Sequence, residues 1–277
     1  MSLRDDQVEV AIDAIQVGRA AGVGRVVRGG ARAPGLADRP VLVGPIDPCG
    51  ECDVCRRGGA AVCPSAMRRD ALAPRVEVAA RWVVPLDDGL ELPSPWAAAV
   101  AGDVSLAYTL YARAGVAPRE PVVVVGACPI GRFLVEILLA KGIAPVALGG
   151  PDAWRAFLAS RSVPVGSDTA ALRAALDALD LGSRPWRVIC ADPAQTEAAI
   201  AIAGPRATLT ALAGDAPAAL SGSVLAREIA VTGVAGAHPD LMVEAAALCV
   251  RGDVDLLAGT TRTPGDPLRA CVQAIGP

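Results

Sequence analysis

The chain has 277 residues, a net charge of −3, 53% hydrophobic residues and only 3% aromatic ones. That length holds one large core or two modest ones. The slightly acidic balance argues against a nucleic-acid-binding surface, which needs a basic patch, and no apolar stretch is long and uninterrupted enough to be a membrane span.

The N-terminal run MSLRDDQVEV is acidic and lacks the hydrophobic segment of a signal peptide, so a cytoplasmic, reducing location is expected. Residues 1–92 carry short alternating strands such as VEVAID, at 8–13, between many Gly and Pro turns, the pattern of a small β domain. Inside it the run PCGECDVCRRGGAAVCP spaces Cys49, Cys52, Cys55 and Cys63 as CxxCxxCx7C. Four thiolates close a tetrahedral site with no open position, so such a centre shapes a loop and catalyses nothing. A redox CxxC needs only two of these thiols, and an iron site of rubredoxin type uses two separated CxxC pairs. The other cysteines, Cys128, Cys190, Cys249 and Cys271, stand singly in apolar segments, as small core residues do, so they form no disulfide framework. The expectation is one structural zinc per chain in a lobe spanning 45–65, with Arg56 and Arg57 offsetting the charge of the tetrathiolate.

Ser94 and Pro95 make a helix start for WAAAVAGDVSLAYTLYARAG. After Pro121 comes VVVVGACPIGRFLVEILLAKG, a β-branched run, a glycine turn, then Phe133, Leu134, Ile137 and Leu138 at helical spacing. In a dinucleotide-binding unit the pyrophosphate sits on backbone N–H groups at the start of that helix. Gly126 and Gly131 hold the outer positions of GxGxxG, while Cys128 replaces the middle glycine and obstructs close approach of the pyrophosphate. The expected cofactor-binding residues are Gly126, Ala127, Cys128, Pro129, Ile130, Gly131 and Gly149. The strand at 144–148 ends in Gly149, Gly150 and Pro151 without the acidic residue that holds a ribose. Asp152 reads as a helix cap and Arg155 as a solvated arginine within reach of a 2′-phosphate, which leaves NAD and NADP both open. Strands at 187–191, 207–212 and 228–234 alternate with helices near 168–180, 193–203 and 240–251, as in a doubly wound parallel sheet.

This order resembles the zinc-containing medium-chain alcohol dehydrogenase family: a β domain with a four-cysteine lobe, a linking helix, then a strand–glycine turn–helix unit. DRPVLVGPIDPCGECDVCRRGGAAVCP is similar to that family's GDRV strand and structural zinc lobe, and VVVVGACPIG to its VVVGAGPIG fingerprint. The resemblance implies an α/β fold in which a doubly wound parallel Rossmann sheet, 93–253 with the linking helix, accompanies a smaller, truncated GroES-like β domain, 1–92, that bears the zinc lobe. It also implies a return segment, 254–277, and NAD(P)-dependent oxidation of alcohols or reduction of aldehydes or ketones.

The sequence departs from the family at the catalytic zinc. QVEVAIDAIQV follows the family's EVLVRVxAxGVC strand, but Gly18 stands where the first catalytic cysteine would be, no GHE follows, and the intervening loop is missing. The sole histidine, His238 in AGAHPD, is expected to be a solvated loop residue. Asp103 lies near the family's third ligand, one residue off its spacing from Tyr108. Ser105, Tyr108 and Thr109 are the nearest polar groups on the linking helix, each equally explained as packing. Catalytic residues are therefore unassigned. The chain ends at PLRACVQAIGP where the family adds a helix and a strand returning to the β domain, so that domain is expected to be short at both ends and to lean on a partner subunit or a second copy. Two functions follow: an oxidoreductase without catalytic zinc, or a non-catalytic subunit, regulator or scaffold.

Overall fold

Alternation in QVEVAIDAIQ sends Val8, Val10, Ile12 and Ala14 to one face of a strand, β1 (Gln7–Gln16), and all four are buried. The computed structural model describes residues 3–86, 92, 96–118, 120–179, 186–214, 222–262, 264–266 and 269–274. They group into two compact units, Met1–Leu106 with Gly236–Pro277, and Ala107–Ala235.

In the first unit β1 passes through a tight turn at 17–20, where Gly18 takes φ +78°, into the antiparallel β2 (Ala21–Gly29). The stretch expected to have lost a loop is therefore a closed hairpin. β3 (Pro40–Val43) pairs with β2. The short strands β4 (Ile46–Asp47) and β5 (Met67–Arg68) pair with each other and bracket the four-cysteine run, which contains the one-turn helix α1 (Asp53–Arg56). β6 (Arg75–Ala79) adds to β1 and β7 (Val83–Pro85) to β3. Val8, Val10, Ile12, Val26, Val41, Val43 and Val78 fill the core beneath this sheet.

A helical run follows, made of α2 (Ala97–Ala99), a π-helical turn (Val100–Val104) and α3 (Ser105–Ala114). The helix start expected at Ser94 and Pro95 lies outside the described residues. A π turn takes up one residue more than an α turn, which matches the single-residue offset of Asp103 from Tyr108.

The second unit alternates as its sequence predicts. β8 (Val122–Val125), α4 (Pro129–Ala140), β9 (Pro145–Leu148), α5 (Asp152–Ser160), β10 (Val165–Gly166), α6 (Thr169–Ala178), β11 (Arg187–Cys190), α7 (Thr196–Ile202), β12 (Thr208–Leu212), α8 (Gly222–Ala226) and β13 (Ala230–Val234) follow in turn. The strands form one parallel sheet in the order β10-β9-β8-β11-β12-β13. Counted from β8 this is 3-2-1-4-5-6, the doubly wound Rossmann order. Val122 to Val125 are all fully buried, as a strand covered on both faces requires. Phe133, Leu134, Ile137 and Leu138 form the buried stripe of α4. Residues 193–195, expected in a helix, form a separate 3-10 turn before α7, and β10, only two residues long, carries no periodic signal.

The chain then returns to the first unit through α9 (Met242–Val250), β14 (Thr260–Thr261) and β15 (Ala270–Ala274). β15 pairs antiparallel with β1, Ala14 opposite Ala274 and Gln16 opposite Val272. The segment expected to be shortened therefore still supplies a strand, ACVQA, to the β unit. Residues 236–253, expected with the Rossmann sheet, group instead with the β unit. Among the described residues no helix is long and apolar enough to cross a membrane.

Two predictions follow from these cores. Phe133 is fully buried under β8, so Phe133→Ala should cost about 3 to 5 kcal/mol in urea unfolding through lost burial and the cavity left behind. Burial pushes the Cys190 thiol up from 9.0 to about 11. The unfolded thiol loses its proton near 9 while the folded one keeps it to about 11, so stability should fall across that pH window by about 2 to 3 kcal/mol. Urea midpoints measured from pH 8 to 11 should show this part of the decline vanish in Cys190→Ala.

Candidate functional site

Two sites emerge, one in each unit. In the β unit, β4 delivers Cys49, α1 carries Cys55 with Cys52 at its N-cap, and a 3-10 turn, Ala60–Val62, delivers Cys63. Zinc–sulfur bonds of about 2.3 Å require sulfurs about 3.8 Å apart around a tetrahedron. The Sγ atoms of Cys49 and Cys63 stand 3.5 Å apart, those of Cys52 and Cys63 3.9 Å, and those of Cys49 and Cys55 4.0 Å. All four lie within 4.8 Å of one another, and among the described residues this is the one gathering of three or more potential metal ligands.

The backbone is already arranged for thiolates. Cys52 N–H donates to Cys49 Sγ at 3.4 Å, Cys55 N–H to Cys52 Sγ at 3.4 Å and Cys49 N–H to Cys63 Sγ at 3.5 Å. Backbone N–H groups of Glu51 and Cys52 hold the Cys49 thiol down to about 6. Burial, reinforced by the neighbouring thiols, pushes Cys55 up to about 12. A soft divalent cation would draw the protons off all four sulfurs on binding. The donor set fits zinc.

Arg56 and Arg57 are exposed, whereas Arg81 donates to Cys49 O and Arg68 donates to Ala61 O at 2.9 Å. Trp82 Nε1 donates to Pro48 O at 2.6 Å, and Asp47, buried at the lobe's base, accepts from Ala79 N–H at 3.2 Å. His238 is not a solvated residue. It is buried, with Nε2 2.9 Å from Gly58 O, on the loop between Cys55 and Cys63. The AGAHPD segment therefore packs on the lobe, a long-range pairing that leaves no trace in local sequence.

In the Rossmann unit the strand order reverses between β8 and β11, and the loops leaving those two strands frame the crevice. Gly126 takes φ +123°, a conformation open to glycine, and a Cβ there would lie 2.9 Å from Asp192 N. At Gly131 a Cβ would lie 1.9 Å from Gly126 O, so only glycine lets α4 press onto the end of β8. Ala127, Pro129 and Ile130 complete the turn and the first residues of the helix, the place where an anionic pyrophosphate meets free N–H groups and the positive end of the dipole. Cys128 is the N-cap of α4. Its Sγ accepts from Gly131 N–H and donates to Ala191 O, both at 3.5 Å, so the thiol reaches across the crevice from one loop to the other.

Gly149 follows β9 and packs against Gly166 and Ser167. Asp152 begins α5 as expected and pairs with Arg155, which also donates to Gly150 O. No carboxylate stands at the end of β9 itself. Ser105 is fully buried, with Oγ donating to Val100 O, and Thr109 is buried. Tyr108 is buried against Tyr111, ring centroids 5.6 Å apart, with Lys141 Nζ 5.4 Å over its ring. All three are buried in the helical run. The pair that sequence reasoning left apart is Arg19 and Asp103, joined by Arg19 Nε donating to Asp103 Oδ1 at 2.8 Å.

No family model matches the sequence. Solved structures match it over nearly its whole length. An alcohol dehydrogenase from Thermus sp. ATN1 superposes with a TM-score of 0.80 at 16% identity, covering 94% of this chain and 86% of that one. A cobalt- and zinc-bound thermostable alcohol dehydrogenase from Pyrobaculum aerophilum gives 0.78 at 16% identity, covering 99% and 93%. An Escherichia coli CFT073 alcohol dehydrogenase complexed with NADH gives 0.79 at 14% identity, covering 98% and 92%. The chain has the fold of these alcohol dehydrogenases, a GroES-like β unit together with a Rossmann unit.

Proposed function

We propose that the protein is an NAD(P)-dependent oxidoreductase acting on a small alcohol, aldehyde or ketone, with one structural zinc on Cys49, Cys52, Cys55 and Cys63 and no catalytic zinc. The observation that carries this reading is the glycine geometry at the Rossmann switch point. Gly126 and Gly131 satisfy two separate steric demands, a positive φ and a helix–strand approach that no side chain tolerates, and both demands belong to a dinucleotide-binding turn. The fold shared with NADH- and zinc-bound alcohol dehydrogenases supports it.

A bound nicotinamide dinucleotide would supply or accept hydride. This chain's residues would hold it, with the N–H groups of Ala127, Cys128 and Ile130 at the N-terminus of α4 available to the pyrophosphate. Gly149 at the end of β9 leaves room for the adenosine ribose without a carboxylate to grip it. Arg155, beside that strand end, supplies positive charge within the same loop. The zinc lobe serves stability, because four thiolates leave no position for substrate. His238 belongs to that lobe through Gly58, so it relays no proton. The location proposed is the cytoplasm, where thiols stay reduced, and the working form a homo-oligomer or a complex with a partner subunit.

One observation favours the second reading, a non-catalytic scaffold or regulator: the Cys128 thiol spans the crevice between Gly131 and Ala191. Nicotinamide fluorescence separates the two. Titration with NADH and NADPH should show saturable binding of at least one of them below millimolar concentration, and Cys128→Gly should tighten it. Absence of binding by both at millimolar concentration contradicts the oxidoreductase reading. The Cys55→Ser variant should lose its metal by elemental analysis and loosen residues 45–65, while its dinucleotide affinity stays within about twofold of the parent chain's, since the roles are carried by separate units.

A further inference from the structure

The loop that leaves β9 is packed too tightly to carry a side chain at the place where a dinucleotide's ribose is ordinarily gripped. In a doubly wound sheet the end of this strand lies beside the adenosine ribose. A carboxylate there holds the 2′-hydroxyl of NAD, and a nearby arginine accommodates the 2′-phosphate of NADP. Here β9 ends at Leu148 and is followed by Gly149 and Gly150. Gly149 N–H donates to Gly166 O at 2.7 Å. A Cβ at Gly149 would lie 3.0 Å from Ser167 Cα and 3.1 Å from Gly166 O, backbone atoms at the end of β10 that cannot swing aside. A Cβ at Gly150 would lie 2.8 Å from Ala127 Cβ, in the glycine turn before α4, and 2.8 Å from Trp154 Cδ1. Trp154 is fully buried, and its Nε1 donates to Leu148 O at 3.1 Å, which fixes the indole against the strand end. Neither position has space for an acidic side chain.

The charges beside this loop are already matched. Residues 149–155 and 166–171 hold one arginine and two aspartates, so at most one cation is offered to a phosphate. That cation, Arg155, donates to Gly150 O and to Asp152 Oδ1, which folds its guanidinium back over the loop with a carboxylate attached. The second aspartate, Asp168, caps α6: its Oδ1 accepts the N–H groups of Ala171 and Ala170 at 2.9 and 2.8 Å. Those two N–H groups hold its carboxyl below the usual carboxylate range, and its charge is set against the positive end of the helix.

We propose that the protein does not discriminate between NAD(H) and NADP(H), and that Asp152 and Arg155 are the residues that hold this balance. On the dinucleotide-binding reading of α4, on which this choice rests, Asp152 is the repulsive element that cancels the attraction of Arg155 for a 2′-phosphate. Removing either partner uncovers the other, and the two removals act with opposite sign on NADPH. NADH, which lacks that phosphate, responds less to both. Asp152 is 94% exposed and Arg155 51% exposed, so water screens the pair and its leverage on affinity is a small multiple.

Nicotinamide fluorescence titrations of the zinc-loaded full chain with NADH and NADPH, at low ionic strength where exposed charges are least screened, test this. The parent chain should bind the two with dissociation constants within about fivefold of each other, the range left when no charged group selects. Asp152→Asn should raise the preference for NADPH at least about threefold, and Arg155→Gln should lower it at least about threefold. The double variant should return the ratio to within about twofold of the parent chain's, because the two effects offset. A purely structural role for the pair would move both dinucleotides together and leave the ratio alone. A parent chain that prefers either dinucleotide beyond the stated range, or a ratio that neither single variant moves, overturns the proposal and leaves the dinucleotide-binding reading standing. Binding of neither dinucleotide overturns that reading and the proposal with it.

Discussion

The approach of Gly131 to the carbonyl of Gly126 is the constraint on which the Rossmann unit depends. A side-chain carbon at 131 would sit 1.9 Å from that oxygen, so the N-terminus of α4 can lie over the exit of β8 only because nothing projects from it. Once the helix is seated, its stripe of Phe133, Leu134, Ile137 and Leu138 is delivered to the sheet and fully buried. The same seating brings the first N–H groups of α4 to the strand-order reversal between β8 and β11, where a parallel sheet opens a crevice. One glycine thus couples packing to the proposed cofactor site.

The β unit is organised by a different force. Its sheet buries valines on one face, while the four-cysteine lobe lies between β4 and β5 with little apolar matter of its own. The lobe is held by polar ties: Trp82 to Pro48 O, Arg81 to Cys49 O, Asp47 to Ala79 N–H, His238 to Gly58 O. Asp47 also meets the buried Arg69 at 3.4 Å. Such ties orient a loop but contribute little net stability each. A tetrathiolate metal centre, which organises its own ligands, would supply the cohesion that side-chain burial does not.

What the sequence discloses follows the range of the interaction. The alternation of β1, the β-branched run of β8, the helical stripe of α4 and the CxxCxxCx7C spacing are local patterns, and each appears in the structure where the residues put it. His238 against Gly58 lies 180 positions apart in the chain and Arg19 against Asp103 84 apart, and neither carries a local signature. The strand Ala270–Ala274 was hidden for another reason. The tight hairpin at 17–20 agrees with the loop expected to be missing there, while the strand was passed over by comparison with the resembling family although the alternation of ACVQA was there to be read in its own right. The one-residue offset of Asp103 had a physical reason in the π turn, which a helical repeat does not announce.

The account assigns a dinucleotide turn to one unit and a proposed structural zinc to the four-cysteine lobe of the other. Its central claim is that the N-terminus of α4 is where a dinucleotide binds. Hydrogen–deuterium exchange with and without saturating NADH reads this most directly. The account predicts that the amides of Ala127, Cys128 and Ile130 become protected on binding while those of the lobe at 45–65 do not change. Protection confined to other segments, or none at these three amides under saturating NADH, would contradict it.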